Sequence, residues 1–330
     1  MKAFEYAAPK TLKEAAGLLG STWGQTEIIA GGTDLVTALK QGLTAPTRVV
    51  SLRNIKELRG IDESARTVRN GTVRIGSMTT LGEIAENKKV KELFPSIVTA
   101  ITGIGSPQIL SAGTVGGDLC QRPRCWYYRN GLGLFGKQGD ASLVREGDNR
   151  YHAIFGTDGP ALFVNASSLG PALIALGATV STIAADGNKR DIPAAQFFQA
   201  PKNENERETT LRPNEILTAI TIPAKSVRNA TYEVRHRHGL DWPYVTAAVA
   251  FQTQNGAASN PQIVLGHVAA TPWVATKAAQ ALAGQKIDEA TAKRCADAAA
   301  DGAKPLSGNA YKIQLVKTAV KRALLAAANA

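Results

Sequence analysis

The sequence predicts an α+β fold in two parts, an N-terminal domain over residues 1–224 and a smaller α+β domain over 225–330. Three observations carry this reading. Through the first part, short apolar runs alternate with helix-period stretches, each bounded by Gly, Pro, Asn or Asp. Pro223 closes an apolar strand just before the polar "AKSVRN" (224–229). Beyond that point three strand-like runs come first and three Ala-rich helical stretches follow, the order of an antiparallel sheet backed by helices.

Taken in order, "TEIIA" (26–30) predicts a strand, "GGTD" (31–34) a turn, "LVTALKQGL" (35–43) a helix and "TRVVSL" (47–52) a second strand. Thr33 and Asp34 suit the helix N-cap because their side-chain oxygens can accept from free N–H groups of the first turn. "RTVRNGTVRIGS" (66–77) alternates around Asn70-Gly71, the signature of a tight hairpin. "TTLGEIAEN" (79–87) opens a helix with Thr80 and Glu83 spaced as a capping box. Residues 125–160 show no apolar period and many Gly and Asp, which predicts a long loop. "SSLGPALIALGATVST" (167–182) predicts a Ser-capped short helix, a stop at Gly177 and a strand, and "NEILTAITIP" (214–223) predicts another strand. In the second part "TYEVRHR", "YVTAAVAFQT" and "PQIVLGHVAA" predict a three-stranded antiparallel sheet, and helices are expected near 273–283, 288–301 and 309–328.

With 44% hydrophobic and 20% charged residues the composition is that of a globular protein, and three cysteines in 330 residues exclude a disulfide framework. No apolar run approaches the roughly 20 residues of a membrane helix. The start, "MKAFEYAAPK", lacks a basic region followed by an apolar stretch, so the expected location is the cytoplasm. A net charge of +11 would attract nucleic acid, an acidic partner or a phosphorylated ligand, but no run of five Lys or Arg marks a nucleic-acid surface.

Two segments point to an anionic ligand. "AGGTDL" (30–35) lies between a strand and a helix, where glycines let backbone N–H groups face phosphate oxygens and the helix end adds partial positive charge. A ligand-free strand-to-helix turn would need the same residues. "SAGTVGGDL" (111–119) repeats the pattern, with Asp118 within reach of a ribose or phosphate. Neither is a GxGxxG or a Walker loop. Two such segments about eighty residues apart would grip a diphosphate from both sides.

These segments, with "SPQILSAGTVGGDLCQRPRC" (106–125), "GHVAATPWVATKAAQALAG" (266–284) and "NAYKIQLVKTAVKRAL" (309–324), resemble in order the FAD-binding medium subunit of the molybdenum hydroxylases. That family includes xanthine dehydrogenase, aldehyde oxidoreductases and carbon monoxide dehydrogenase. "GGDLCQRPRCWYYRN" (116–130) resembles most the aldehyde oxidoreductase and hydroxybenzoyl-CoA reductase branch. The resemblance implies a PCMH/VAO-like FAD-binding domain with subdomains at about 1–57 and 58–224. It implies that Ala30, Gly31, Gly32, Thr33 and Asp34, flanked by Ile28, Ile29 and Leu35, hold the FAD diphosphate and ribityl chain together with Gly113, Thr114, Gly116, Gly117 and Asp118. Ile104 and Cys120 are expected near the flavin or adenine surfaces, and Ser168 and Leu217 around the adenosine end. The chain departs from the family pattern at Ser168, usually Asp, which removes one carboxylate contact, at Leu110, usually Arg, and at Glu233, usually Lys, whose contact is not carried over.

The chemistry implied is electron transfer, with no catalytic residue and no metal ligand in this chain; the residues show no Ser-His-Asp set, no paired acid and base and no HExxH. A large molybdenum-cofactor subunit would oxidise an aldehyde or an N-heterocycle, aldehyde being favoured. A small subunit with two [2Fe-2S] clusters would relay electrons, and FAD here would pass them to NAD, oxygen, a quinone or a protein. A signal-bearing partner would place the complex in the periplasm. His236 and His238, two apart on an expected strand, would share one side. In the resembled branch the loop after "QRPRC" binds a four-iron cluster through four cysteines; here Cys125 is followed by none in residues 126–164, so no cluster is expected. The rival readings are a free-standing flavin oxidoreductase with the same FAD domain, and a basic nucleic-acid-binding protein using Arg122, Arg124 and Arg129.

Overall fold

A computed structural model of the chain describes residues 1–62, 71–237 and 240–329. A parallel sheet begins the fold, in the order β1 (Glu5–Ala7), β3 (Arg48–Ser51), β2 (Thr26–Ile29). The crossing helices are Leu12–Gly17 and Leu35–Gln41, and Ala15, Ala16, Val50 and Leu52 pack between sheet and helices. Neither β1 nor the helix Leu12–Gly17 is among the elements expected from sequence. Three residues are too few to show a period, yet Thr11 caps the helix by accepting from Glu14 N at 3.2 Å.

The second sheet is antiparallel, in the order β4 (Ile61–Asp62), β5 (Thr72–Gly76), β10 (Glu215–Pro223), β8 (Thr179–Ala184), β9 (Lys189–Pro193). The first half of the hairpin expected around Asn70-Gly71 falls outside the described residues; β5 is its second half. Helices from Leu81 to Cys120 cover one face and bury Phe94, Ile97, Ile101 and Leu119 against Ile220 and Leu173. The expected capping box is formed, Glu83 N bonding Thr80 Oγ1 at 3.2 Å and Thr80 N bonding Glu83 Oε2 at 2.7 Å. Helix Gly170–Ala175 stops at Gly177, whose φ of +69° is open to glycine at little cost.

The C-terminal sheet has four strands, not three: β11 (Arg228–Val234), β12 (Val245–Gln254), β13 (Ala257–Gly266) and the short β14 (Trp273–Val274). Trp273 therefore belongs to a strand, and the helix expected from 273 begins at Thr276. β12 is buried on both faces. Val245, Ala247, Val249 and Phe251 point to the helices Glu289–Ala299 and Lys312–Ala328, whereas Ala248 and Ala250 join the core of the N-terminal part. Small residues on that second face let the helix Gly170–Ala175 approach closely; a Cβ on Gly266 would lie 2.8 Å from Pro171.

Residues 125–160 are more ordered than the sequence suggests. They form helix Trp126–Arg129, a hairpin of β6 (Lys137–Gln138) and β7 (Ala141–Ser142), and helix Leu143–Glu146. Ile154 and Phe155 are fully buried in the C-terminal core, and Phe155 stacks on Trp273 with ring centroids 4.9 Å apart. Lys312, 1% exposed, donates to the carbonyl oxygens of His267 at 2.6 Å, His152 at 3.1 Å and Tyr151 at 3.5 Å. Burial pushes its ammonium down to about 7. Asn309 Nδ2 donates to the carbonyls of Asn149, His152 and Ala153. His236 follows the end of β11 instead of lying on a strand, and His238 is outside the described residues. Among the described residues no helix is long and apolar enough to cross a membrane.

Phe155→Ala removes a buried ring from a site the sequence reads as loop. It should lower stability by about 3–5 kcal/mol, a loss to be read from urea unfolding followed by tryptophan fluorescence.

Candidate functional site

β2 ends at Ile29, and the chain turns through Ala30–Asp34 into helix Leu35–Gln41. Gly32 has φ +75°, and a Cβ on Gly31 would lie 1.8 Å from the carbonyl oxygen of Ala112, so the two glycine segments meet backbone to backbone. Among the described residues, the N–H groups of Gly31, Gly32, Thr33 and Asp34 donate to no acceptor of the chain. The second segment differs from expectation. It is the start of a helix, Val115–Cys120, capped by Thr114, whose hydroxyl accepts from Gly117 N at 3.1 Å. Gly116 N donates to Ser77 O and Asp118 N to Thr114 O. Its donors are thus used internally, and its glycines supply a surface free of side chains. The free donors belong to the first segment.

Two cavities open on either side of this junction. The larger, about 820 Å³, is lined by Ile28, Ala30, Gly31, Gly32, Thr33, Asp34, Leu35, Thr114, Gly116, Gly117, Cys120 and Leu217 among others. The smaller, about 320 Å³, is lined by Ile104, Gly113, Asp118, Ser168, Arg235 and Trp242, and shares Thr33, Asp34, Thr114 and Gly117 with the first. Together they make one groove with the glycine segments at its middle. Ile29 lines neither cavity and packs beneath Gly32. Ser168 and Leu217 line different cavities, because Ser168 precedes the helix Gly170–Ala175 and Leu217 sits in β10.

Two carboxylates expected to meet a ligand are occupied by the chain itself. Asp34 stands at the N-cap position without a capping bond. Its carboxylate accepts from Arg122 N at 2.8 Å, Arg124 Nη1 at 2.5 Å and Arg129 Nη2 at 2.8 Å. Asp118 accepts from Ser167 Oγ at 2.5 Å and from Leu169 N at 3.1 Å, fixing the turn that starts helix Gly170–Ala175. Burial pushes its carboxyl up from 3.8 to about 6, against the pull of those bonds.

The three arginines therefore face inward. Arg122 and Arg129 flank the Tyr128 ring at 5.3 and 5.5 Å, Arg122 pairs with Glu208 at 3.3 Å, and Arg124 lies 5.4 Å over Trp242. Glu208, Arg207 and Trp23, the last two stacked at 5.0 Å, line the larger cavity and are absent from the sequence reading. "KNENERETT" (202–210) looks like an ordinary polar loop, and nothing in it signals which carboxylate turns inward. Arg235, held by an ion pair to Glu233, brings a cation to the smaller cavity. Cys125 Sγ lies 3.1 Å from His152 Nε2; burial, aided by the charge on Lys312, pushes that imidazole down to about 4, so it is neutral at pH 7. Among the described residues no group of three or more His, Cys, Asp or Glu is placed to hold a metal ion.

Asp34→Ala leaves three arginine contacts without an acceptor and should cost about 3–5 kcal/mol, measured by chemical denaturation. Asp118 yields a pH prediction. The folded chain keeps this proton between about 3.8 and 6, where the unfolded chain has released it. Its stabilising contribution is therefore complete below pH 3.8 and lost as pH rises through about 6. The urea midpoint should fall across that interval, and Asp118→Asn should flatten the fall.

Residues 2–225 match the family described as FAD binding domain in molybdopterin dehydrogenase, and residues 230–327 the CO dehydrogenase flavoprotein C-terminal domain. The chain is 29% identical over 320 residues to the aldehyde oxidoreductase FAD-binding subunit PaoB of Escherichia coli K12, covering 96% of each chain. It is 29% identical over 329 residues to the carbon monoxide dehydrogenase medium chain of Hydrogenophaga pseudoflava, covering 98% of this chain and 96% of that one. Among solved structures, carbon monoxide dehydrogenase from the same organism superposes with a TM-score of 0.76 at 28% identity, over 99% of this chain and 97% of that one. Quinoline 2-oxidoreductase from Pseudomonas putida 86 gives 0.76 at 26% identity, over 100% and 99%. The two glycine segments, the groove they share and the C-terminal sheet thus belong to an oxidoreductase subunit, and the chain is a member of the FAD-binding medium subunits of the molybdenum hydroxylases.

Proposed function

We propose that the groove between the glycine segments holds FAD and that this chain carries electrons from an iron–sulfur subunit to an external acceptor. The observation that carries the reading is the row of unpaired N–H groups at Gly31–Asp34, set where two cavities join. Donors of that kind suit a diphosphate, and the flanking volumes suit the two ring systems of a dinucleotide. Leu217, Cys120 and Gly117 would hold the bulkier flavin end in the larger cavity, and Ile104 and Ser168 the adenosine in the smaller. FAD, when bound, supplies the step between one-electron and two-electron carriers. The chain's own part is to bind and orient it. Arg122, Arg124 and Arg129, only partly balanced by Asp34 and Glu208, keep positive charge beside the diphosphate site.

The partners are a large molybdenum-cofactor subunit and a small subunit with two [2Fe-2S] clusters, and the substrate class of the complex is an aldehyde. Likeness to the aldehyde oxidoreductase subunit over nearly the whole chain supports that class. Affinity purification of the chain from its own cells should bring down both partners, with molybdenum and iron in the eluate and an aldehyde-dependent reduction of a dye. Gly32→Glu and Gly117→Glu place a carboxylate against the diphosphate site and should each abolish flavin retention. Stoichiometric flavin in both purified variants would overturn the FAD assignment.

A further inference from the structure

Glu208 is the buried carboxylate of the larger cavity that the fold does not consume. Its side chain is 7% exposed, it lines the cavity, and its Oε1 has no hydrogen-bond partner. Arg122 Nη2 stands 3.3 Å from that oxygen in an ion pair without hydrogen-bond alignment, and Arg122 Nε is likewise buried and unpaired. Asp34 and Asp118, by contrast, have their oxygens filled by the chain. A desolvated carboxylate held by one imperfect counter-ion, beside a site for a group that changes charge, is poised to change its own charge in response.

We propose that Glu208 takes up a proton when the bound flavin is reduced, and that Arg122 then turns its charge from Glu208 to the reduced ring. The inference rests on the FAD reading above. Two electrons from the partner's iron–sulfur donor and one solvent proton give the ring one N–H bond and one negative charge. A second solvent proton forms the O–H bond of Glu208. Two electrons and two protons have then entered, and the cavity's net charge is unchanged; reoxidation by the acceptor releases both protons. Without the second proton, reduction would add a further anion to a cavity whose lining already sets Glu27, Asp34, Glu204, Glu208 and Glu215 against Arg122 and Arg207, at an electrostatic cost. Facing Glu208 from the packed elements are Arg122, Arg129, Tyr128, Cys120 and Asp34, with Glu204 and Arg207 on its own segment. Burial raises the Glu208 carboxyl above its ordinary range, while Arg122 acts to lower it, so a new negative charge nearby tips the balance toward the acid.

The test uses the full-length FAD-loaded chain, reduced chemically. Its midpoint potential against pH should show an interval in which one more proton is taken up per two electrons than in Glu208→Gln. The reduced-minus-oxidised infrared difference spectrum should show a carboxylic-acid C=O band appearing on reduction. That band should vanish in Glu208→Gln and move in Glu208→Asp. Equal pH slopes in the native chain and a flavin-loaded Glu208→Gln, or a band indifferent to both substitutions, would overturn the proposal while leaving the FAD assignment standing. A native chain that binds no flavin would overturn the FAD assignment itself. Should Glu208→Gln lose its flavin, Glu208→Asp decides: a shifted band supports the linkage and an unshifted one refutes it.

Discussion

The carboxylate of Asp34 is the point on which the groove depends. One side chain at the end of the first glycine turn gathers a backbone N–H and two guanidinium groups from a segment about ninety residues further on. This contact brings the turn, the arginine segment and Glu208 to the same wall. Its energy comes from charge-assisted hydrogen bonds in a place largely shielded from water, where such bonds are stronger than at the surface. Asp34 is turned toward the arginines, and the N–H groups of Gly31–Asp34 donate to no acceptor among the described residues.

The smaller cavity is held by a parallel device. Asp118 ties the helix Val115–Cys120 to the turn before Gly170–Ala175, and that helix lies against β12 and β13. The sheet of the C-terminal part is therefore packed on both faces along Val245–Phe251 of β12, a buried run that is apolar but for Thr246. Groove and C-terminal sheet are mechanically continuous through Asp118, Ser167 and Pro171.

Much of this was legible in the sequence, and the divide follows a physical line. Elements with a period or a cap were readable: the capping box at Thr80, the strand ending at Pro223, the stop at Gly177 and the alternating strands after residue 228. Both glycine segments were recognisable, and the structure brings them together backbone to backbone. What each carboxylate does was not, since Asp34 and Asp118 read as ligand contacts until their partners 88 and 49 residues away are in place. Glu208 was missed for the same reason in reverse: a polar loop conceals which side chain is desolvated. Residues 125–160 looked like loop because Leu134, Phe135, Ile154 and Phe155 follow no helix or strand period and are buried in two separate clusters.

The grip of Lys312 and Asn309 on the carbonyls of residues 149–153 spans 160 positions of the chain. On a ribosome adding about 5–20 residues per second, the earlier segment emerges roughly 8–32 seconds before the groups that hold it are made. Throughout that delay these carbonyls lack the donors that bind them in the folded chain. The segment 149–153 therefore gains these contacts only once the helix Lys312–Ala328 has been made.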